Sequence, residues 1–131
     1  MKIGITGCAG MLGSHLTDLL LLEGHEVIGI DTLDVGSLDN IKEHQDNNKF
    51  SFYKFDARAK DLVSSVFIDC EVIVHLAAVK KVTESQVSFK TLDVNVETTR
   101  NVLELAKNID AKVIFASTSD IYGVSTDVPF K

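Results

Sequence analysis

The sequence has no tryptophan, a single proline, two cysteines and no long apolar run. Pro129 lies near the C-terminal end, so proline interrupts none of the elements read below. Cys8 and Cys70 show neither metal-ligand spacing nor a disulfide framework. They read as reduced thiols, which points to a cytoplasmic setting. No segment reaches the ~18 to 20 apolar residues of a membrane span. The first residues lack a basic segment followed by a cleavable apolar one, so no secretory signal and no membrane partner are expected. Basic residues are outnumbered, with 13 Lys and Arg against 19 Asp and Glu and a net charge of −6. That balance excludes non-specific nucleic-acid binding, which needs a basic face. It does not exclude an anionic ligand, because a helix N-terminus can hold phosphate without net basic charge. No spacing of His, Cys and carboxylates suggests a metal site, and repeats and low-complexity segments are absent.

What is present is a globular composition, 45% apolar in 131 residues, enough for one core and one domain over residues 1–131. Strands and helices alternate along it. "KIGIT" (2–6) reads as a strand. From Met11 to Glu23 the residues Leu12, Leu16, Leu19 and Leu20 form one helical stripe, closed by Gly24 as a left-handed cap. "EVIGID" (26–31) reads as a buried strand, followed by a polar loop with a short helix. Strands follow at 50–56, 71–78 and 111–117, with helices at 59–67 and about 90–108. On the last helix Leu92, Val96, Leu103 and Ala106 are expected on one face. Near-continuous apolar strands separated by helices imply a parallel sheet covered on both sides. Right-handed crossovers make it doubly wound, with the strand order 3-2-1-4-5.

Three glycines, Gly7, Gly10 and Gly13, fill the loop between the first strand and the first helix. A dinucleotide fold uses such glycines for a tight turn, for close approach of the backbone to a pyrophosphate, and for close packing of helix on strand. Asp31 ends the second strand, eighteen residues past Gly13. A carboxylate there can accept both ribose hydroxyls of an adenosine and repels the 2′-phosphate of NADP. NAD is therefore the expected cofactor of a Rossmann-type domain. Of the histidines, His15, His25 and His44 read as solvated or capping residues, and His75 as a hydrogen-bonded core histidine.

The spacing "TGCAGMLGSHL" resembles the T-G-x-x-G-x-[IL]-G of the extended short-chain dehydrogenase/reductases, the NAD-dependent epimerase/dehydratase family. The likeness continues through "VIGIDTL", "FDAR", "VIVHLAAVKKV", "DVNVETTRNVLELAK" and "FASTSDIYG". It implies that Gly7, Gly10, Met11, Leu12 and Gly13 contact the pyrophosphate side of NAD and that Asp31 contacts the ribose. By the same likeness Asp56 and Ala57 touch adenine. Leu76, Ala77, Ala78 and Lys80 pass the pyrophosphate and nicotinamide ribose, and Asn95 and Ser117 belong to the same cofactor site. Two positions depart from the family pattern: Thr98 replaces a usual glycine, and Ser88 or Phe89 a usual proline. Both are expected to alter local packing more than binding.

Family members oxidise a sugar carbon with NAD, after which the keto sugar is epimerised, dehydrated or decarboxylated. The resemblance assigns the catalytic Ser/Thr to Thr118. The catalytic pair Tyr-x-x-x-Lys places both side chains one helical turn apart, and Tyr122 does not qualify because residue 126 is Thr. Tyr122 resembles instead the packing Tyr of the family's Y-G turn. The chain thus reads as the N-terminal part of a nucleotide-sugar enzyme, truncated before the last strands and the sugar-binding region, and inactive by itself. The segment with Lys80 leans toward UDP-glucose 4-epimerase-like members and "ASTSDIYG" toward UDP-glucuronate decarboxylase-like ones. The other reading is a non-catalytic NAD-binding or sensing module. Strand 112–117 is expected to present a bare apolar edge, and the family commonly dimerises through the helix at 90–108, so self-association or a homodimer is expected.

Overall fold

The computed structural model describes residues 1–79, 89–118, 121 and 123. Five strands, β1 (Lys2–Thr6), β2 (Glu26–Asp31), β3 (Phe50–Lys54), β4 (Val72–His75) and β5 (Lys112–Phe115), form one parallel sheet in the order β3-β2-β1-β4-β5. The helices are α1 (Met11–Leu22), α2 (Lys60–Phe67) and α3 (Phe89–Ile109). The polar loop after β2 contains two short 3-10 turns, Leu38–Asn40 and Lys42–His44. No helix among the described residues is long and apolar enough to cross a membrane.

Alternation along the strands divides the core into two layers. On one side Ile28, Ile30 and Ile73 meet Val63 and Phe67 of α2 and Val102, Leu105 and Ala106 of α3. On the other, Ile3, Ile5, Val27 and Val74 meet Cys8, Ala9 and Ile41, with Leu16 and Leu20 of α1 packed against them. Both faces of the central strands are thereby covered, as near-continuous apolar strands require, whereas Ile114 and Phe115 of β5 stay exposed.

Two helical faces differ from the sequence expectation. On α1, Leu12 and Leu19 are exposed, and the buried residues are Gly13, Ser14 and Thr17. Small side chains let the helix approach the sheet, and their polar atoms are satisfied internally: Ser14 Oγ donates to Met11 O and Thr17 Oγ1 to Gly13 O. On α3, Leu92, Val96 and Leu103 are exposed, while Val94, Thr98, Asn101, Val102, Leu105 and Ala106 are buried. Apolar residues lie on more than one side of both helices, so periodicity alone does not select the buried face. β1 and β2 have the expected bounds, whereas β3, β4 and β5 are shorter than the 50–56, 71–78 and 111–117 read from the sequence. Past the end of β4, Leu76 N still donates to Thr6 O, but Ala77 N turns to the Thr6 side chain and leaves the ladder, as described below.

β1 is followed by a crossover to β2 on one side, while β4 lies on its other side. The chain therefore switches direction between β1 and β4. The carboxyl ends of the strands at such a point open into a crevice.

Candidate functional site

The crevice is a cleft of about 620 Å³ lined by the loop after β1, the ends of β2, β3 and β4 and one side of α3. Its floor is the glycine loop. Gly7 has φ +78°, and a Cβ there would lie 2.9 Å from Ala77 N, so only a bare residue fits against the end of β4. Gly13 packs on the carbonyl of Gly7, leaving no room for a side chain. Gly10 differs. Its φ is −74°, and among the described residues beyond its chain neighbours an added Cβ would come within 4 Å only of Gly7 O, at 3.3 Å. Gly10 also precedes α1 with no side-chain cap, so the first N–H groups of the helix at Met11, Leu12 and Gly13 open toward the cleft.

The loop hangs from the end of β2. Gly7 N donates to Ile30 O at 2.8 Å, and Ala9 N donates to Asp31 Oδ2 at 3.0 Å. Asp31 Oδ1 accepts from Leu33 N at 2.8 Å, closing a turn in which Leu33 takes φ +65°. Ala9 is held from its other side too, since its carbonyl accepts from Ser37 N at 3.1 Å and Asn40 Nδ2 at 2.8 Å. Each Asp31 oxygen thus uses one lone pair on the backbone and keeps another for a ligand in the cleft.

At the β3 end, Asp56 and Ala57 line the cleft beside Arg58. Asp56 Oδ1 accepts from Arg58 N at 2.8 Å, and Oδ2 accepts from Arg58 Nη2 at 2.7 Å and Nε at 3.0 Å. The Arg58 guanidinium holds the Asp56 carboxyl below the usual carboxylate range. Behind this turn Asn101, buried on α3, donates from one amide nitrogen to Ala57 O at 3.1 Å and Arg58 O at 3.0 Å.

At the β4 end, Thr6 and His75 are buried side by side. Thr6 Oγ1 accepts from Ala77 N at 3.1 Å and Leu76 N at 3.2 Å, which occupies both of its lone pairs. Its hydrogen is left for His75 Nδ1 at 2.7 Å. His75 Nε2 then carries the ring proton and donates to Thr99 Oγ1 at 3.1 Å, and Thr99 donates to Asn95 O at 2.7 Å. Hydrogen counting therefore assigns a neutral ring protonated at Nε2. Burial lowers the His75 pKa, in keeping with that state. The expected core histidine is found, with a defined tautomer.

Of the residues expected at the cofactor, Gly7, Gly10, Met11, Leu12, Gly13, Asp31, Asp56, Ala57, Leu76, Ala77 and Ala78 are brought together on the cleft. Asn95 is not among its lining residues. Its amide is bidentate on the Val79 backbone, Oδ1 accepting from Val79 N at 2.8 Å and Nδ2 donating to Val79 O at 3.2 Å. Ser117 and Thr118 lie exposed past β5, outside the cleft lining, and Thr118 O accepts from Ile121 N at 3.4 Å. Lys80, Tyr122 and Ser88 lie outside the described residues. Thr98 is buried and satisfies its hydroxyl by donating to Val94 O at 2.9 Å, so it stands in the helix without an orphaned polar group. Cys8 and Cys70 are free and buried, and burial pushes their thiols up to about 12 and about 11. His15 is exposed, whereas His44 is half-buried, with Nε2 2.6 Å from Asp18 Oδ1. Among the described residues no cluster of His, Cys and carboxylates has the form of a metal site. Thr6, Thr99, Arg58 and Asn101 were not singled out from the sequence. A polar residue ending an apolar strand, and one on the otherwise apolar face of a helix, were the available signals.

The sequence and the fold both have relatives. The family model described as GDP-mannose 4,6 dehydratase matches residues 5–131. Protein CapI of Staphylococcus aureus is 38% identical over 99% of this chain and 41% of its own length. UDP-glucuronic acid decarboxylase 1 of Danio rerio is 37% identical over 93% of this chain and 28% of its own length. Among solved structures, dTDP-glucose 4,6-dehydratase from Bacillus anthracis in complex with NAD superposes with a TM-score of 0.86, at 32% identity, over 100% of this chain and 42% of that one. The chain thus spans less than half the length of these relatives. A glycine loop, an acid-tipped second strand and a matching sheet order, together with these likenesses, place the chain in the NAD-dependent epimerase/dehydratase family.

Proposed function

We propose that the cleft binds NAD and that the chain supplies the cofactor-binding part of a nucleotide-sugar epimerase, dehydratase or decarboxylase. The observation that carries this reading is the Asp31 carboxylate, fixed at the end of β2 by Ala9 N and Leu33 N and lining the cleft with the glycine loop. Bound NAD would supply transient hydride transfer at a sugar carbon. The chain's own residues bind and orient it. The opening N–H groups of α1 face the pyrophosphate across Gly10, where no Cβ intervenes. Asp31 accepts the ribose hydroxyls, and Leu76, Ala77 and Ala78 border the nicotinamide side. Thr118 is the residue the family likeness offers for positioning a sugar hydroxyl, in a full-length relative that also supplies Tyr-x-x-x-Lys. These 131 residues contain no such pair. The purified chain is therefore expected to give no product from a UDP-sugar, and turnover above that of a Thr118→Ala control would refute this. The free buried thiols suit a cytoplasmic setting.

The cofactor reading is tested by calorimetric titration with NAD and NADP. NAD should bind the more tightly, and Asp31→Ala should weaken it by about 1–3 kcal/mol through lost charged hydrogen bonds. Tighter binding of NADP by the unaltered chain would overturn the assignment of Asp31.

A further inference from the structure

Asp56 and Arg58 lie at the β3 end of the cleft, and the turn that carries them is braced from behind. Asn101 is 6% exposed and reaches across from α3, forty-three and forty-four residues away in sequence, to Arg58 O and Ala57 O. Within the turn, Ala59 N donates to Asp56 O at 2.9 Å, and the Arg58 amide and guanidinium together make three hydrogen bonds to the Asp56 carboxylate. The backbone on which Arg58 stands is thus fixed by Asn101, and the carboxylate is fixed by Arg58. An ionised carboxylate can only accept. At the edge of a base site it accepts from a 6-amino group and repels a 6-oxo group.

We propose that Asn101 is a positioning residue that sets the choice of purine, holding the 56–59 turn so that Asp56 meets the 6-position of the base. The proposal rests on the NAD reading of the cleft. Asn101 does not touch the ligand. A residue with a merely structural role would change the affinities for all purine dinucleotides alike, whereas a positioning role changes their ratio.

The test measures dissociation constants for NAD and nicotinamide hypoxanthine dinucleotide, with the chain unaltered and as Asn101→Leu and Asn101→Asp. The unaltered chain should prefer NAD by at least about tenfold, the scale of one hydrogen bond to a charged group. In folded Asn101 variants that preference should fall to within about threefold, while affinity for nicotinamide mononucleotide is unchanged. Undiminished preference in a folded variant overturns the role of Asn101 alone. Absence of preference in the unaltered chain overturns the reading of the base site beneath it, and with it the proposal. Should neither variant fold, nitrogen-15 spectra of the unaltered chain decide. The Asn101 side-chain amide should shift on adding AMP and stay in place with nicotinamide mononucleotide. An amide indifferent to AMP rules the proposal out.

Discussion

The Thr6 hydroxyl and the His75 ring lie 2.7 Å apart, buried at the carboxyl ends of β1 and β4, and the hydroxyl donates to Nδ1 because its lone pairs are taken by Leu76 N and Ala77 N. Leu76 N also donates to Thr6 O, whereas Ala77 N points at the side chain. The pair therefore turns the chain out of β4 and seats the Ala77 peptide against bare Gly7. One contact joins two walls of the cleft.

Thr6→Val keeps the shape but removes the acceptor. It should cost about 1–3 kcal/mol, the desolvation of the buried groups left unpaired. Urea unfolding should show a lower midpoint with an unchanged slope. Amide exchange at Ala77 should quicken, and Thr6→Ser should restore most of both. Equal stability of Thr6→Val and the unaltered chain would show that the Ala77 amide is not held by Thr6.

Acid should act through the same pair. The groups facing His75 from β1, α3 and β5 are Thr6, Thr99 and the stacked Phe115 ring, none of which ionises in the acid range. Burial alone lowers its pKa below the ordinary 6.5. A folded state that binds its proton less readily than the unfolded chain has its full His75 contribution above about pH 6.5 and loses it as the pH falls through the folded value. Stability should therefore decline below about pH 6.5, and His75→Gln should flatten that part of the profile. An equally steep decline in the variant would assign it to other groups. Nitrogen-15 shifts of the ring at pH 7.5 should show Nε2 protonated and Nδ1 bare.

The three glycines should separate by substitution. Gly13→Ala forces a methyl into the Gly7 carbonyl and should lower stability by about 1–3 kcal/mol or more, as overpacking does. Gly10→Ala has only the contact at 3.3 Å to accommodate, so its unfolding midpoint should move less while NAD affinity falls at least about tenfold. Thermal unfolding and calorimetry on the same samples check both. Retention of full NAD affinity by Gly10→Ala would remove the pyrophosphate from this loop.

Self-association is expected. Among the described residues β5 is an edge strand, with Ile114 52% and Phe115 54% exposed, and Leu92, Val96 and Leu103 form an exposed apolar row on α3. Such surfaces are covered most simply by a second copy. Sedimentation should show mass rising with concentration, reduced by Leu103→Glu on α3 or Ile114→Lys on β5. A monomer at every concentration, with slow amide exchange at 112–115, would defeat this expectation.

The sheet order was legible because parallel strands covered on both faces must be apolar along their length, and the intervening helices fix the crossovers. The glycine loop was legible because close backbone approach leaves few alternatives to glycine, and Asp31 because it ends a strand at the right distance from that loop. The buried faces of α1 and α3 were not. Apolar residues lie on more than one side of these helices, and the sheet selects the side where Ser14, Thr17 and Thr98 pack closely with their hydroxyls bonded to their own helix and Asn101 reaches Ala57 O and Arg58 O. Nor was the bracing of the cleft. Thr6 meets His75 across sixty-nine residues, and Asn101 meets Ala57 across forty-four. Composition and periodicity determined which residues form strands and helices. Which polar atoms meet was decided by the tertiary structure, because a hydrogen bond needs heavy atoms about 3 Å apart and aligned. Only the register of β1 against β4 and the seating of α3 on the sheet supply that alignment.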